Sequence, residues 1–217
     1  MKIRNPSFIA PFELFLLKNR KDSKEFWSLK QIKYMKNKIN LRAGIIGAVV
    51  LFAALSRLLM TELPNVSPLG AMALFGGAYF SRKYLAVIIP LLALWISDVV
   101  LNNTIYAAYY EGFSWFGVPV VYLSIIVIAL MGTSLLKEIK VKNLFIASLL
   151  TSLVFFLITN LGSWWAIPAY TKDFAGIIAA YTAGLPFFLS TILSNLFFTA
   201  VLFGGYELFK QRVPALA

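Results

Sequence analysis

"YLAVIIPLLALWISDVVL", Tyr84–Leu101, carries a single charged residue, Asp98. About 18 apolar residues is the length a helix needs to cross hydrocarbon. The rest of the 217-residue chain agrees, since it is 60% hydrophobic with a mean hydropathy of +0.79. A soluble domain of this length would need far more charge to cover its surface. The sequence therefore predicts an all-α transmembrane protein.

Outward from this run, six apolar segments are expected at 43–61, 66–81, 84–101, 118–136, 144–162 and 185–206. The second is short. Its strictly apolar part, Leu69–Phe80, gives about 18 Å of helix against a core of about 30 Å, as a tilted span or a re-entrant hairpin would. Charge placement favours six crossings. With the N-terminus inside, Arg82-Lys83, Lys137/Lys140/Lys142 and Lys210/Arg212 all fall on the inner side, and Lys172 is the one basic residue of the outer loops. The positive-inside rule then predicts a six-helix bundle with both termini cytoplasmic.

Eleven of the twenty Lys and Arg residues lie between Lys2 and Arg42. The net charge of +11 thus points to membrane lipid, through a basic amphipathic cytoplasmic arm over 1–42, and not to nucleic acid. The apolar stretch Phe8–Leu17 is too short for a span and lacks a cleavage site, so it does not read as a signal peptide. Residues 43–210 form the expected transmembrane domain and 211–217 a short tail.

Cysteine and histidine are absent. This removes disulfides, thiolate chemistry, imidazole catalysis and histidine metal sites. Of nine acids, only Asp98 lies inside an apolar run. There is no phosphate-binding loop, nucleophile elbow or metal-ligand spacing. The expectation is a protein that is not an enzyme and takes no metal and no cofactor, with a binding or transport role.

The candidate binding residues are the polar groups at membrane depth. Arg57 and Asp98 each lie about 21–23 Å from the inner face by helix rise, where an unpaired charge costs at least about 2.5–3.5 kcal/mol. They are expected to pair, either lining an outward cavity or locking two helices together. "FFLITNLGSWWA", Phe155–Ala166, brings Asn160 to the outer end of its helix, with a break expected at Gly162 and Trp164 and Trp165 beyond it. Asn195 lies on the last helix in a stripe with Thr191 and Thr199. Such stripes serve either interhelical hydrogen bonding or a polar site. The outer loops Asn102–Pro119 and Gly162–Pro186 are rich in aromatics and are expected to fold back over the bundle as half-buried lids. Ala43/Gly47 and Gly44/Ala48 are small-xxx-small pairs that allow close approach of another helix.

Three stretches together, "SRLLMTELPNVSPLGAMALFGGAYFSRKYLAVIIPLLALWISDVVL" (Ser56–Leu101), "FFLITNLGSWW" and "YTAGLPFFLSTILSNLFFTAVLFG" (Tyr181–Gly204), resemble an uncharacterised family of small bacterial membrane proteins. The shared features are an outer Pro-Asn, a Gly-Gly, a Ser-Asp ending a helix, a Thr-Asn followed by Trp, and a Pro-Phe-Phe. That family is similar in architecture to the substrate-binding S components of energy-coupling factor (ECF) transporters, six-helix proteins with a short, irregular second helix. The resemblance covers about residues 50–206 and leaves the basic arm unmatched. It implies a multi-pass protein of the bacterial cytoplasmic membrane that captures a vitamin-like small-molecule substrate under an outer loop. A transmembrane coupling subunit and two ATPases would be its partners. Carried over, it implies Asp98, Asn160, Trp164 and Trp165 at the pocket, and Ala43, Gly44, Gly47 and Ala48 at the coupling contact. A non-transporting accessory or scaffold subunit is the alternative.

Overall fold

In the long apolar segments several serines, threonines and asparagines are buried while many leucines and phenylalanines face outward. The computed structural model describes residues 28, 31–32, 44, 47–48, 51–52, 55–61, 63, 66–80 and 82–212. Among them all regular structure is helical: α1 (Leu69–Tyr79), α2 (Lys83–Asn103), a short 3-10 turn at Ala107–Tyr109, α3 (Pro119–Leu135), α4 (Val141–Ala166) and α5 (Phe174–Arg212). The described residues of 44–59 are helical as well. The expected arm over 1–42 lies outside the described residues apart from Ser28, Gln31 and Ile32, which are helical and exposed, and Ala43 lies outside them too. Residues 47–209 make one compact unit, and 1–46 with 210–217 another.

On α5, Leu185, Leu189, Leu193, Phe197 and Val201 recur every fourth residue and are exposed, whereas Ser194, Asn195 and Thr199 are buried. On α4, Leu150, Leu153, Leu157 and Leu161 are exposed and Ser148, Thr151 and Ser152 buried. Water would reject this arrangement, since burying polar side chains while wetting leucines reverses both free-energy terms. Hydrocarbon favours it. Three described helices, Tyr84–Asn103, Val141–Ala166 and Phe174–Arg212, are long and apolar enough to cross a membrane. The chain is a membrane protein.

Side-chain contacts set the helix directions. Ser67 meets Ser194, Phe75 meets Phe203 and Tyr79 meets Glu207, so α1 runs parallel to α5 at a nearly constant offset in sequence. Ser148 meets Thr199, and Asn160 meets Gly184, so α4 and α5 are antiparallel. Gly162 faces Val120, which makes α3 antiparallel to α4. Tyr122 reaches back to Asp98, which makes α2 antiparallel to α3. One end of the bundle thus holds Arg82 and Lys137–Lys142, and the connections 104–118 and 167–173 lie at the other.

The short helix α1 is the centre of the packing. Leu69, Ala71, Met72, Ala73, Leu74 and Phe75 are all buried. It is apolar on every side because it meets protein on every side. Gly77 and Gly132 bring α1 and α3 into backbone contact: a Cβ at Gly77 would stand 2.7 Å from the Thr133 nitrogen. No side chain fits there, which is why the Gly-Gly pair follows the apolar stretch.

Two expectations are corrected. Gly162 does not break its helix, since α4 continues to Ala166. The glycine is a packing device, as a Cβ there would meet Val120 Cγ2 at 2.7 Å. The long loop expected over Gly162–Pro186 is mostly helix, because α5 begins at Phe174 and carries Pro186 within it. Asp173 makes this start possible by capping the Gly176 N–H through Oδ1 at 2.8 Å. That satisfies one of the backbone donors left open at a helix N-terminus.

Candidate functional site

The predicted site residues fall into three places. The first is an ion pair. Arg57 Nη1 stands 2.6 Å from Asp98 Oδ1, with the side chains 20% and 6% exposed. Arg57 also donates to Ser97 Oγ, which donates in turn to the Leu94 carbonyl at 2.8 Å. On the far side Tyr122 OH donates to Asp98 Oδ2 at 2.7 Å, and the Gly117 N–H approaches the Tyr122 oxygen. A Cβ at Gly117 would stand 2.1 Å from Oδ2, so the returning 104–118 connection is pressed against the carboxylate. The acid is enclosed by Arg57 from the helical segment before α1, Tyr122 from α3 and Gly117 of this connection.

The same connection folds back along α2. Its Trp115 carbonyl accepts from Trp95 Nε1 at 3.0 Å, and Asn103 exchanges hydrogen bonds with the Ser114 backbone at 2.8 Å. Of its six aromatic side chains, Tyr106 and Tyr110 are half-buried, as a lid over the bundle would have them, and the other four are not. Tyr109, Phe113, Trp115 and Phe116 are exposed, because the backbone takes the inward contacts. Exposed aromatics in such a position suit a membrane interface.

The second place is a chamber of about 280 Å³ between α4 and α5. Phe156, Asn160, Ser163, Tyr170, Gly184 and Thr191 are among its lining. Asn160 donates through Nδ2 to the Phe156 carbonyl at 2.8 Å. Its carboxamide lies flat on α5, since a Cβ at Gly184 would stand 2.1 Å from Asn160 Oδ1. Phe156 stacks with Phe188 at 4.6 Å between centroids and meets Tyr181 edge-on at 5.6 Å, giving the chamber a stiff aromatic wall.

The third place is deeper. A cavity of about 60 Å³ is lined by Ser67, Gly70, Thr151, Ser152, Thr191 and Asn195, together with apolar Leu69, Ile128 and Phe155. Phe155 and Thr191 line both cavities. Asn195 Nδ2 donates to the Ser148 carbonyl at 2.9 Å, Thr151 Oγ1 at 3.0 Å and Ser152 Oγ at 3.1 Å. The stripe on α5 therefore does bridge to α4 as an interhelical bond.

Trp164 and Trp165 line neither cavity. Trp164 Nε1 donates to the Thr171 carbonyl at 2.9 Å, tying down the 167–173 connection. Lys172 Nζ caps the end of α4, donating to the carbonyls of Trp164 at 2.6 Å, Trp165 at 3.1 Å and Ile167 at 3.2 Å. A cation at a helix C-terminus meets the negative end of the macrodipole. Trp165 is 74% exposed. Asp173 is outside the spans, and its carboxyl is held below the ordinary range by the Gly176 N–H and then by the Thr171 hydroxyl. The connection is a hydrogen-bonded corner, and its Ile167 and Tyr170 line the chamber.

Arg57 and Asp98 lie outside both cavities, paired with each other, and Asn160 and Asn195 line two different cavities that share Phe155 and Thr191, so no single pocket gathers the six predicted residues. Sequence reasoning passed over Tyr122, Gly184, Lys172 and Asp173. The last two carried a readable signal, a helix-capping acid and a cation between two helices. In the segment before α1, no described atom lies within 4 Å of a Cβ placed at Gly44 or Gly47. Ala48 is exposed.

No curated protein and no solved structure matches the chain. Residues 37–216 match the family of unknown function DUF6580, and the chain belongs to that family.

Proposed function

We propose that the chain is a substrate-binding subunit similar to the S components of ECF transporters. It captures a small micronutrient or vitamin-like molecule at the outer side of the bacterial cytoplasmic membrane. A transmembrane coupling subunit and ATPases then drive uptake. The observation that carries this reading is the aromatic-walled chamber of about 280 Å³ at Asn160, close to the lower end of the about 300–1,000 Å³ range of small-molecule pockets. The reading includes six crossings with both termini cytoplasmic. Arg82 and Lys137–Lys142 share one end of the bundle, and Lys210 and Arg212 close α5, as the positive-inside rule prefers. No catalytic step is included, since Asp98 is taken up by Arg57 and Tyr122.

Native mass spectrometry of the full chain released from nanodiscs tests the reading, paired with uptake in a deletion strain. A co-purifying small molecule and an uptake defect are expected. Absence of both would sink substrate capture.

A second reading, a non-transporting scaffold subunit, is favoured by one observation. Gly47 opens onto an apolar groove of about 300 Å³ walled by Leu51, Leu55, Leu58, Leu92 and Ile96. Cross-linking from this groove to a stoichiometric partner other than a coupling protein, with no bound small molecule, would select it.

A further inference from the structure

The Asn160 chamber is walled by rings. Phe155, Phe156, Tyr170, Phe187 and Phe188 all line it, and no Lys, Arg, Asp or Glu does. Phe156 and Phe188 lie 4.6 Å apart between centroids with their planes 33° apart, which joins α4 and α5 in one aromatic surface. From α5 also come Ala180, Ala183 and Gly184, residues with one side-chain carbon or none. The chamber is the space that this face of α5 leaves beside α4. A void bordered by rings from both helices suits a flat guest, because offset-stacked and edge-on ring pairs add to what burial alone gives.

Its polar groups are of both kinds. Asn160 Nδ2 places one proton on the Phe156 carbonyl at 2.8 Å. Reversing the carboxamide would set Oδ1 against that carbonyl, so its orientation is fixed. One N–H and Oδ1 remain without a partner among the described residues, and Oδ1 is not one of the buried unpaired atoms, which are Asn195 Oδ1 and Tyr206 OH. The Tyr170 hydroxyl, also in the lining, is a second uncommitted donor among the described residues. Thr159, Ser163 and Thr191 donate within their own helices, to the carbonyls of Phe155 at 2.8 Å, Thr159 at 3.0 Å and Phe187 at 3.0 Å, and so present lone pairs. The chamber answers a ligand that both donates and accepts.

Charge is not provided for. Lys172 stands at the edge of the chamber, 3.2 Å from the carbonyl of Ile167, but its three protons are placed on the carbonyls of Trp164, Trp165 and Ile167. An anion finds no free donor on it. A cation would meet its positive charge with no carboxylate in the lining to offset it.

We infer that the substrate is an uncharged, flat, conjugated ring system carrying both a hydrogen-bond donor and an acceptor, as aromatic carboxamides and lactams do. Its ring lies against Phe156 and Phe188, and its polar edge meets Asn160, with Tyr170 as a further donor. This inference rests on the substrate-binding reading and narrows it.

The test titrates four matched probes into the full chain in nanodiscs, read by saturation-transfer NMR against empty nanodiscs. Benzamide is flat and uncharged. Benzoate and benzamidinium keep its shape with a negative or a positive charge, and cyclohexanecarboxamide keeps the amide on a puckered ring. Benzamide is expected to bind about tenfold more tightly than either ion and about threefold more tightly than cyclohexanecarboxamide. Phe188→Leu keeps apolar bulk without the ring and should erase the preference over cyclohexanecarboxamide. Asn160→Ala should weaken benzamide severalfold. Because Asn160 also packs on α5, Tyr170→Phe serves as a further variant; it removes one hydroxyl from a connection held by Trp164 and Lys172, and should weaken benzamide severalfold with the fold intact. Benzamide bound no better than cyclohexanecarboxamide, tighter binding of either ion, no binding of any probe, or preferences that survive all three substitutions overturn the inference. Failure of the parent reading is separate, since it is scored by co-purification and uptake and not by these probes.

Discussion

Asp98→Asn should destabilise the protein far more than its one-atom change suggests. The substitution leaves the Arg57 guanidinium without its counter-charge 2.6 Å away, at a site where the arginine side chain is only 20% exposed. Breaking a buried ion pair by removing one partner costs about 3–5 kcal/mol. At about 2–4 °C per kcal/mol for a chain of this size, the apparent Tm falls by roughly 6–20 °C. Arg57→Leu should cost a similar amount, since it strands the carboxylate. The double variant Arg57→Leu/Asp98→Asn leaves no charge, and the asparagine can still accept from Tyr122. It should lie closer to the parent than either single variant. Differential scanning fluorimetry in nanodiscs, read through the tryptophans, measures all four proteins. Additive losses in the double variant, or a harmless Asp98→Asn, would refute the account of Asp98 as a neutralised brace between α2 and the first helix.

Gly117→Ala places a Cβ 2.1 Å from Asp98 Oδ2, so it should lower the apparent Tm as much as a core overpacking substitution, about 1–3 kcal/mol. Gly184→Ala should displace the Asn160 carboxamide from α5, where the same construction gives 2.1 Å. Loss of any co-purified molecule with a folded bundle is the expected result, checked by native mass spectrometry and size exclusion. The Asp173 cap predicts a pH effect with a definite sign. Its carboxyl is held below its ordinary value of 3.8, so the stabilisation is complete above that value and is lost as pH falls through the lower folded value. The protection of the amides of residues 174–177, measured as hydrogen exchange relative to the intrinsic rate at each pH, should fall on acidification, and Asp173→Asn should flatten that dependence.

The sequence by itself determined the solvent. Long runs with one charge or none can be covered only by hydrocarbon, and hydropathy acts locally enough to be read along the chain. Helix rise alone placed Arg57 and Asp98 at one depth, and an unpaired charge there is costly enough that their pairing followed. Tertiary structure decided what each polar residue is for. The family resemblance implied one pocket for Asn160 and Asp98, yet one faces a chamber and the other is enclosed by Arg57, Tyr122 and Gly117. That difference depends on partners many residues away and on whether they satisfy a polar atom or leave a void beside it. Gly162 carried the same ambiguity, because a glycine that ends a helix and one that admits Val120 are the same letter. Asn195 is the clearest case. Its Nδ2 is satisfied by Ser148, Thr151 and Ser152, more than forty residues earlier, so only the packing of α5 on α4 shows that the residue links two helices.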